Sequence, residues 1–357
     1  MEPVEHFLFG AALSRAGFNR TTGYATLAMV LAAEAPDLDV LYSLRGLVAG
    51  FQHHRGWTHS LIATPVVALA TVAVVWGVSK AWKRNKRVAE MLPVRWGTLF
   101  LLAWLAALSH IALDYTNNYG VRPFWPFSPR WYEGDLVFIL EPLMLGVLAL
   151  AIIVPWLLGL ADGEIGARRV TFRGQWWSCF ALAFIAALWT VRAVEHSRAI
   201  DLAQQRQWEA GDPKRIGLSP YPLTPFAWHA VVDTGAAYQQ AHIDTLHDQI
   251  RSDPNADIFY KPAVSPAIAR AEGSRLGRAY MDWSSYPLVT AEDSQADAEQ
   301  DESSARVGML TPVDFQDLRF DYDIFGRGEG RHALGAEVIL GPDGSVVQMK
   351  MGDRVER

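Results

Sequence analysis

Four long apolar stretches constrain this chain more than any other feature. Leu61–Val78 and Trp96–Leu113 contain no charged residue, Leu136–Leu160 contains only Glu141, and Trp176–Val191 runs apolar up to Arg192. A helix needs about 20 apolar residues to cross a bilayer, with a range of roughly 17–25. Helices at a water-facing surface need a polar face, and these stretches have none. The expectation is an all-α polytopic membrane helical bundle.

Two shorter apolar segments precede these spans. His6–Ala16 and Gly23–Ala35 flank the turn-like Gly17-Phe18-Asn19-Arg20. They read as helices in either a re-entrant hairpin or a tightly packed crossing pair. Glu2 and Glu5 stand where a secretory signal carries positive charge, so a cleaved signal is not expected.

Charge divides the chain near residue 195. Residues 1–194 hold 16 Lys/Arg and 12 Asp/Glu, a net of +4, whereas 195–357 hold 16 and 26, a net of −10. The acidic balance argues against direct nucleic-acid binding, which calls for a basic face. The single Cys179 excludes a disulfide framework and a thiolate metal cluster. Three regions are expected: a membrane-embedded metal-site domain over 1–194, a helical stalk or linker over 195–212, and a β-rich (α+β) soluble domain over 213–357. In the last, Phe226–Val232, Leu318–Tyr322, Ala336–Leu340 and Ser345–Met351 fit strands. Gly341-Pro342-Asp343-Gly344 fits a hairpin turn, and the acidic stretch 291–304 reads as a mobile loop. His229, His242, His247 and His332 show no ligand spacing and read as ordinary histidines.

Orientation follows from Lys/Arg in short loops. Loop 79–95 carries Lys80, Lys83, Arg84, Lys86, Arg87 and Arg95, and loop 161–175 carries Arg168, Arg169 and Arg173, so both are expected in the cytoplasm. Loops 34–60 and 114–135 carry two basic residues each (Arg45 and Arg55; Arg122 and Arg130) and are expected outside. The C-terminal domain is then extracytoplasmic, on a multi-pass protein of a bacterial inner (cell) membrane.

Chemistry concentrates on that expected outer face. His6, His53, His54, His59 and His110 lie at or near the ends of apolar segments, beside Asp37, Asp39 and Asp114. Ionisable groups at membrane depth are costly and turn inward for a reason. His110 and Asp114, four apart, share one helix face. Pro36 ends the second short helix and presents Asp37 and Asp39, while Gly56 permits a bend that gathers His53, His54 and His59. Taken singly, each is an ordinary capping or interfacial residue. Taken together on one face, they point to a metal. Imidazole and carboxylate without thiolate suit Zn²⁺ first, with Mn²⁺ or Fe²⁺ as alternatives. Glu133, Asp135 and Glu141 are secondary candidates, and Asp135 also fits an N-cap. Thr58 and Ser60 suit hydrogen bonding to ligands. Arg55 suits either charge stabilisation or snorkelling toward headgroups.

The order His6, Pro36-Asp37-Leu38-Asp39, His54-Arg55-Gly56-Trp57-Thr58-His59-Ser60 and His110-Ile111-Ala112-Leu113-Asp114 resembles the bacterial membrane-bound metal-dependent hydrolases. These are inner-membrane proteins, some linked to the LexA-controlled DNA-damage response. More distantly, the pattern resembles zinc-dependent phospholipase C, which implies phosphodiester cleavage at a multi-zinc site. The second His-x-x-x-Glu pair of those enzymes is lacking, so one or two metals are expected. The resemblance covers about residues 1–160.

The functional expectation is a metal-dependent hydrolase at the outer lipid–water interface. Its metal ligands are His6, Asp37, His54, His59, His110 and Asp114, and its catalytic groups are Asp39, His53 and Arg55. Its substrate is a phosphoester or a lipid-linked, amphiphilic molecule, and its surroundings are the membrane lipid bilayer. The alternative is a non-catalytic metal-binding, transport or assembly protein.

Overall fold

Hydropathy patterning reappears as helices in the computed structural model, which describes residues 3–82, 92–164, 173–291, 310–322 and 334–357. Four of them are long and apolar enough to cross a membrane: α4 (Thr64–Trp82), α5 (Trp96–Thr116), α6 (Pro142–Glu164) and α7 (Gln175–Gln205). Leu69, Trp76, Leu101, Leu150, Trp156 and Phe180 are exposed on them, which is unfavourable in water and natural in lipid. The two short apolar segments form α1 (Pro3–Arg15) and α2 (Ala25–Glu34). These pack against each other at close range: a Cβ on Gly10 would lie 2.8 Å from that of Ala33. The basic residues Lys83, Arg84, Lys86, Arg87, Arg168 and Arg169 of the orientation argument lie outside the described residues.

The chain divides into two units. The first comprises Met1–Asp39, Arg55–Val194 and Pro220–Pro225; the second comprises Val40–His54, Glu195–Ser219 and Phe226–Arg357. In the first unit α2 and α5 pack through Ala25, Met29, Ala32, Ala103 and Ala106, all buried. Small side chains let helices approach closely where lipid offers no hydrophobic drive between them. A second buried cluster joins Ala12, Leu113, Met144, Leu148, Ala181 and Ile185.

Arg192 of α7 is buried in this unit. It pairs with the equally buried Glu141 at 2.7 Å and also donates to the carbonyl oxygens of Leu136 and Tyr221. Glu141 further accepts from the Leu223 amide at 3.2 Å. This acidic candidate is therefore held by an arginine, at the start of α6.

The second unit carries antiparallel sheets, as the β-rich reading of its sequence expects. One has the order β1 (Arg215–Pro220), β2 (Ala227–Asp233), β3 (Ala237–Asp244), β4 (Gln249–Arg251), with β5 (Ile258–Tyr260) also on β3. The other runs β10 (Arg354–Glu356), β9 (Val346–Met351), β8 (Ala336–Leu340), β7 (Thr311–Asp317), β6 (Pro287–Ala291). Helices α8 (Pro266–Glu272) and α9 (Arg275–Trp283) start at Ser265 and Ser274, whose side chains cap the Ile268 and Gly277 amides. A short helix, α3 (Leu47–His53), belongs to this unit too, with Phe51 edge-on to Trp283 at 5.6 Å.

The β8–β9 hairpin forms as expected. Asp343 accepts from the Ser345 amide and hydroxyl, and Gly344 takes φ +76°. Leu318–Tyr322 departs from expectation: Leu318–Phe320 is a 3-10 turn, because Asp317 accepts from the Arg319 amide at 3.0 Å and pairs with its guanidinium at 2.7 Å. The acidic stretch from residue 292 and His332 lie outside the described residues.

Two measurements test these features. Arg192→Leu strands a buried carboxylate and costs about 3–5 kcal/mol in thermal unfolding, much of it recovered in the Arg192→Leu/Glu141→Leu double variant. An equal loss in both variants would assign the cost to packing instead. In the second unit, burial opposes the charge on Asp317, but Arg319 overrides it and holds the pKa below the ordinary 3.8. The stability that the carboxylate contributes is present above pH 3.8 and is lost as pH falls through the lower folded-state value. Asp317→Asn accordingly flattens the acid limb of unfolding of the full chain.

Candidate metal centre

The end of α2 creates the first part of the site. Pro36 lacks an amide proton, and the backbone continues from Glu34 into a 3-10 stretch, Ala35–Arg45. Asp37 lies in its first turn and Asp39 follows, buried. A second 3-10 turn, Trp57–His59, brings in His59, and α5 contributes His110 and Asp114 on one face. The expected bend at Gly56 is shared with Arg55, which itself takes the left-handed conformation at φ 51°. That conformation is uncommon for a residue with a side chain. It is held by the Arg55 amide donating to Asp39 Oδ2 at 2.8 Å.

Four ligand atoms meet, all within 4.8 Å of one another: one each from Asp37, His59, His110 and Asp114. His59 Nε2 lies 3.0 Å from His110 Nε2, 3.2 Å from Asp37 Oδ1 and 3.4 Å from Asp114 Oδ2. His110 Nε2 lies 3.6 Å from Asp37 Oδ1 and 3.4 Å from Asp114 Oδ2. A tetrahedral ion with ligands at about 2.0–2.1 Å sets its donors roughly 3.3–3.4 Å apart. The five separations, 3.0–3.6 Å, bracket that spacing.

The hydrogen bonds behind His110 orient its ring as a metal requires. His110 Nδ1 lies 2.6 Å from the Ala33 carbonyl oxygen, which can only accept, so Nδ1 carries the proton and Nε2 presents its lone pair. His59 Nδ1 likewise faces Asp39 Oδ2 at 3.2 Å. A carboxylate behind a ligating imidazole is a recurrent outer partner of metal sites. Asp114 divides its oxygens: Oδ2 faces the two histidines, and Oδ1 is 2.7 Å from the Arg55 guanidinium. Arg55 is itself fixed by Asn117 Oδ1, the Gly120 carbonyl and the Tyr119 ring.

Electrostatics agree with the geometry. Burial opposes charge on His59, yet its hydrogen bonds to Asp114, Asp37 and Asp39 raise its pKa to about 10. Burial likewise opposes charge on Asp37, but the His59 hydrogen bond and the charges on His110 and His59 push its pKa below the usual carboxylate range.

His6 stacks on His110 with ring centroids 3.8 Å apart and is fully buried. Its Nε2 is 3.4 Å from Asp114 Oδ1, and both ring nitrogens lack a hydrogen-bond partner among the described residues. The structure thus brings together His6, Asp37, Asp39, Arg55, His59, His110 and Asp114. His53 and His54 belong to the second unit, where the exposed His53 stacks on Tyr42 at 4.5 Å. Sequence reading missed Asn117, Tyr119 and Gly120. A polar pair, Asn117-Asn118, at the end of an apolar helix was the available signal.

This arrangement defines a membrane protein with a buried Asp/His cluster that could hold a metal ion. The chain belongs to the YdjM inner membrane protein family, whose model matches residues 1–199. It is also 26% identical over 171 residues to a Bacillus subtilis (strain 168) protein named "Uncharacterized protein YfhP". That match covers 46% of this chain and 48% of the relative, so the chain spans about half the relative's length. No solved structure matches.

Metal analysis of the purified protein tests the cluster. The wild type is expected to retain a divalent cation, and His59→Ala and Asp114→Ala to lose it. Asp39→Asn is expected to weaken binding by about 10–100-fold, the usual effect of removing an outer partner. Retention of metal by both alanine variants would place the ion elsewhere.

Proposed function

We propose that this protein is a metal-dependent hydrolase whose centre lies at a lipid–water boundary and whose substrate is a phosphoester or a lipid-linked amphiphile. The convergence of Asp37, His59, His110 and Asp114 within 4.8 Å carries the reading. Their location supports it: Asp114 sits two residues before the end of α5, a span of 21 residues, and therefore close to where hydrocarbon gives way to headgroups. The distribution of Lys and Arg in the short loops favours the outer side of a bacterial inner membrane. Zn²⁺ suits two imidazoles and two carboxylates best.

A divalent cation held by Asp37, His59, His110 and Asp114 would supply a Lewis acid, lowering the pKa of bound water to about 7 and polarising a phosphoryl or carbonyl oxygen. The protein's own groups do the rest. Asp39 and the Ala33 carbonyl hold the two imidazoles with Nε2 inward. Arg55 secures Asp114 Oδ1 so that Oδ2 faces the two imidazoles. Asp37, at 17% side-chain exposure the one partly open member, forms the edge by which water and substrate enter. His6, stacked on His110 and 3.4 Å from Asp114 Oδ1, backs the cage, and burial keeps it neutral.

Turnover by the purified, metal-loaded protein tests the proposal, with bis(p-nitrophenyl) phosphate and p-nitrophenyl esters as probes. Chelator-sensitive hydrolysis is expected. His59→Ala should lose both the metal and the turnover. Stoichiometric metal without turnover of any phosphoester, ester or lipid would favour the non-catalytic metal-binding alternative.

A further inference from the structure

A groove of about 420 Å³ lies in the first unit, lined by Leu61, Ile111, Ala112, Tyr115, Phe124 and Tyr132 among others. Its lining is almost wholly apolar, and its volume falls in the range of small-molecule sites, about 300–1,000 Å³. Its placement says what fills it. Leu108, Ile111, Ala112 and Tyr115 follow i, i+3, i+4, i+7 spacing, so they form one stripe along α5. From Tyr115 to Leu108 that stripe descends about 10 Å into the apolar span. Tyr115 adjoins Asp114 in sequence and Ile111 adjoins His110, so the groove begins at the level of the metal cluster and runs toward the middle of the span.

The upper end of the groove has a different character. Phe124 and Tyr132 form one wall, edge to face at 5.3 Å. The exposed Arg130 lies over the Tyr132 ring, 5.3 Å from its centroid, and among the described residues it has no carboxylate partner. Phe124 and Phe127 are exposed in the turn after α5, as is Trp57 in the turn before α4, as aromatic side chains are at headgroup depth. A cation above an apolar slot complements an anionic head on a hydrocarbon tail.

We infer that this groove seats one acyl chain of an anionic membrane lipid, with its headgroup phosphate at Arg130. That this lipid is the substrate rests on the hydrolase reading; the binding site itself does not. The test uses the full chain reconstituted in phosphatidylcholine vesicles. The probe is phosphatidylglycerol carrying a diazirine near the end of one acyl chain, mapped by mass spectrometry after illumination. Label should concentrate on the α5 peptide containing Leu108–Tyr115. Ala112→Trp, at an exposed position that fills the groove, should reduce that label by about tenfold with metal content unchanged. Arg130→Gln should abolish the preference for this probe over its phosphatidylcholine counterpart. Label spread evenly over α4, α6 and α7, or unchanged by Ala112→Trp, would overturn the inference. Concentrated label on a protein that binds no metal would uphold the groove while removing the hydrolase reading.

Discussion

The cost of burying charge governs this molecule. Asp39, His59, His110 and Asp114 are essentially inaccessible, in a unit whose outer surface is apolar. An isolated ion in such surroundings is penalised by several kcal/mol. These groups persist because their imidazole nitrogens and facing carboxylate oxygens lie 2.6–3.6 Å from one another or from a backbone carbonyl. Arg192 and Glu141 meet the same constraint elsewhere in the unit by direct pairing. The difference is instructive. The Arg–Glu pair neutralises itself, whereas the histidine cluster gathers carboxylates around a shared point.

Much of this was legible in the sequence because hydropathy is a local signal. The four spans and the pair α1 and α2 follow from apolar run length and from the turn at Gly17-Phe18-Asn19-Arg20. The i, i+4 spacing of His110 and Asp114 put both on one face without knowledge of the partner helices. Pro36 announced the presentation of Asp37.

What stayed hidden depends on contacts between distant segments. The grouping of His53 with His54 and His59 looked compact along the chain, yet α3 ends at His53 and the two units divide after His54. Nothing local separates His54 from Arg55 in that way. The position of Asp39 behind His59 Nδ1 depends on the Arg55 backbone entering the left-handed region, which no residue type announced. Leu318–Phe320 has strand composition but turns, since the preceding aspartate captures the Arg319 amide and guanidinium. Strands β1, β3, β6 and β7 went unassigned because their polar and apolar residues do not alternate cleanly: β3 buries Gln239 and Gln240 along with its apolar positions.

Charge balance ties the centre to its chemistry. The carboxylates of Asp37, Asp39 and Asp114 are joined to the two imidazoles, and the Arg55 guanidinium is joined to Asp114. With neutral imidazoles these four charged groups sum to −2, an imbalance that buried surroundings do not tolerate. Protonating His59 removes half of it, which is why that proton is held up to a pKa of about 10. A divalent cation removes all of it and at the same time uses both inward lone pairs. Either a proton or a divalent cation could therefore balance the cluster. Because His110 Nδ1 and His59 Nδ1 already face outer acceptors, a proton and a cation would use the same inward position.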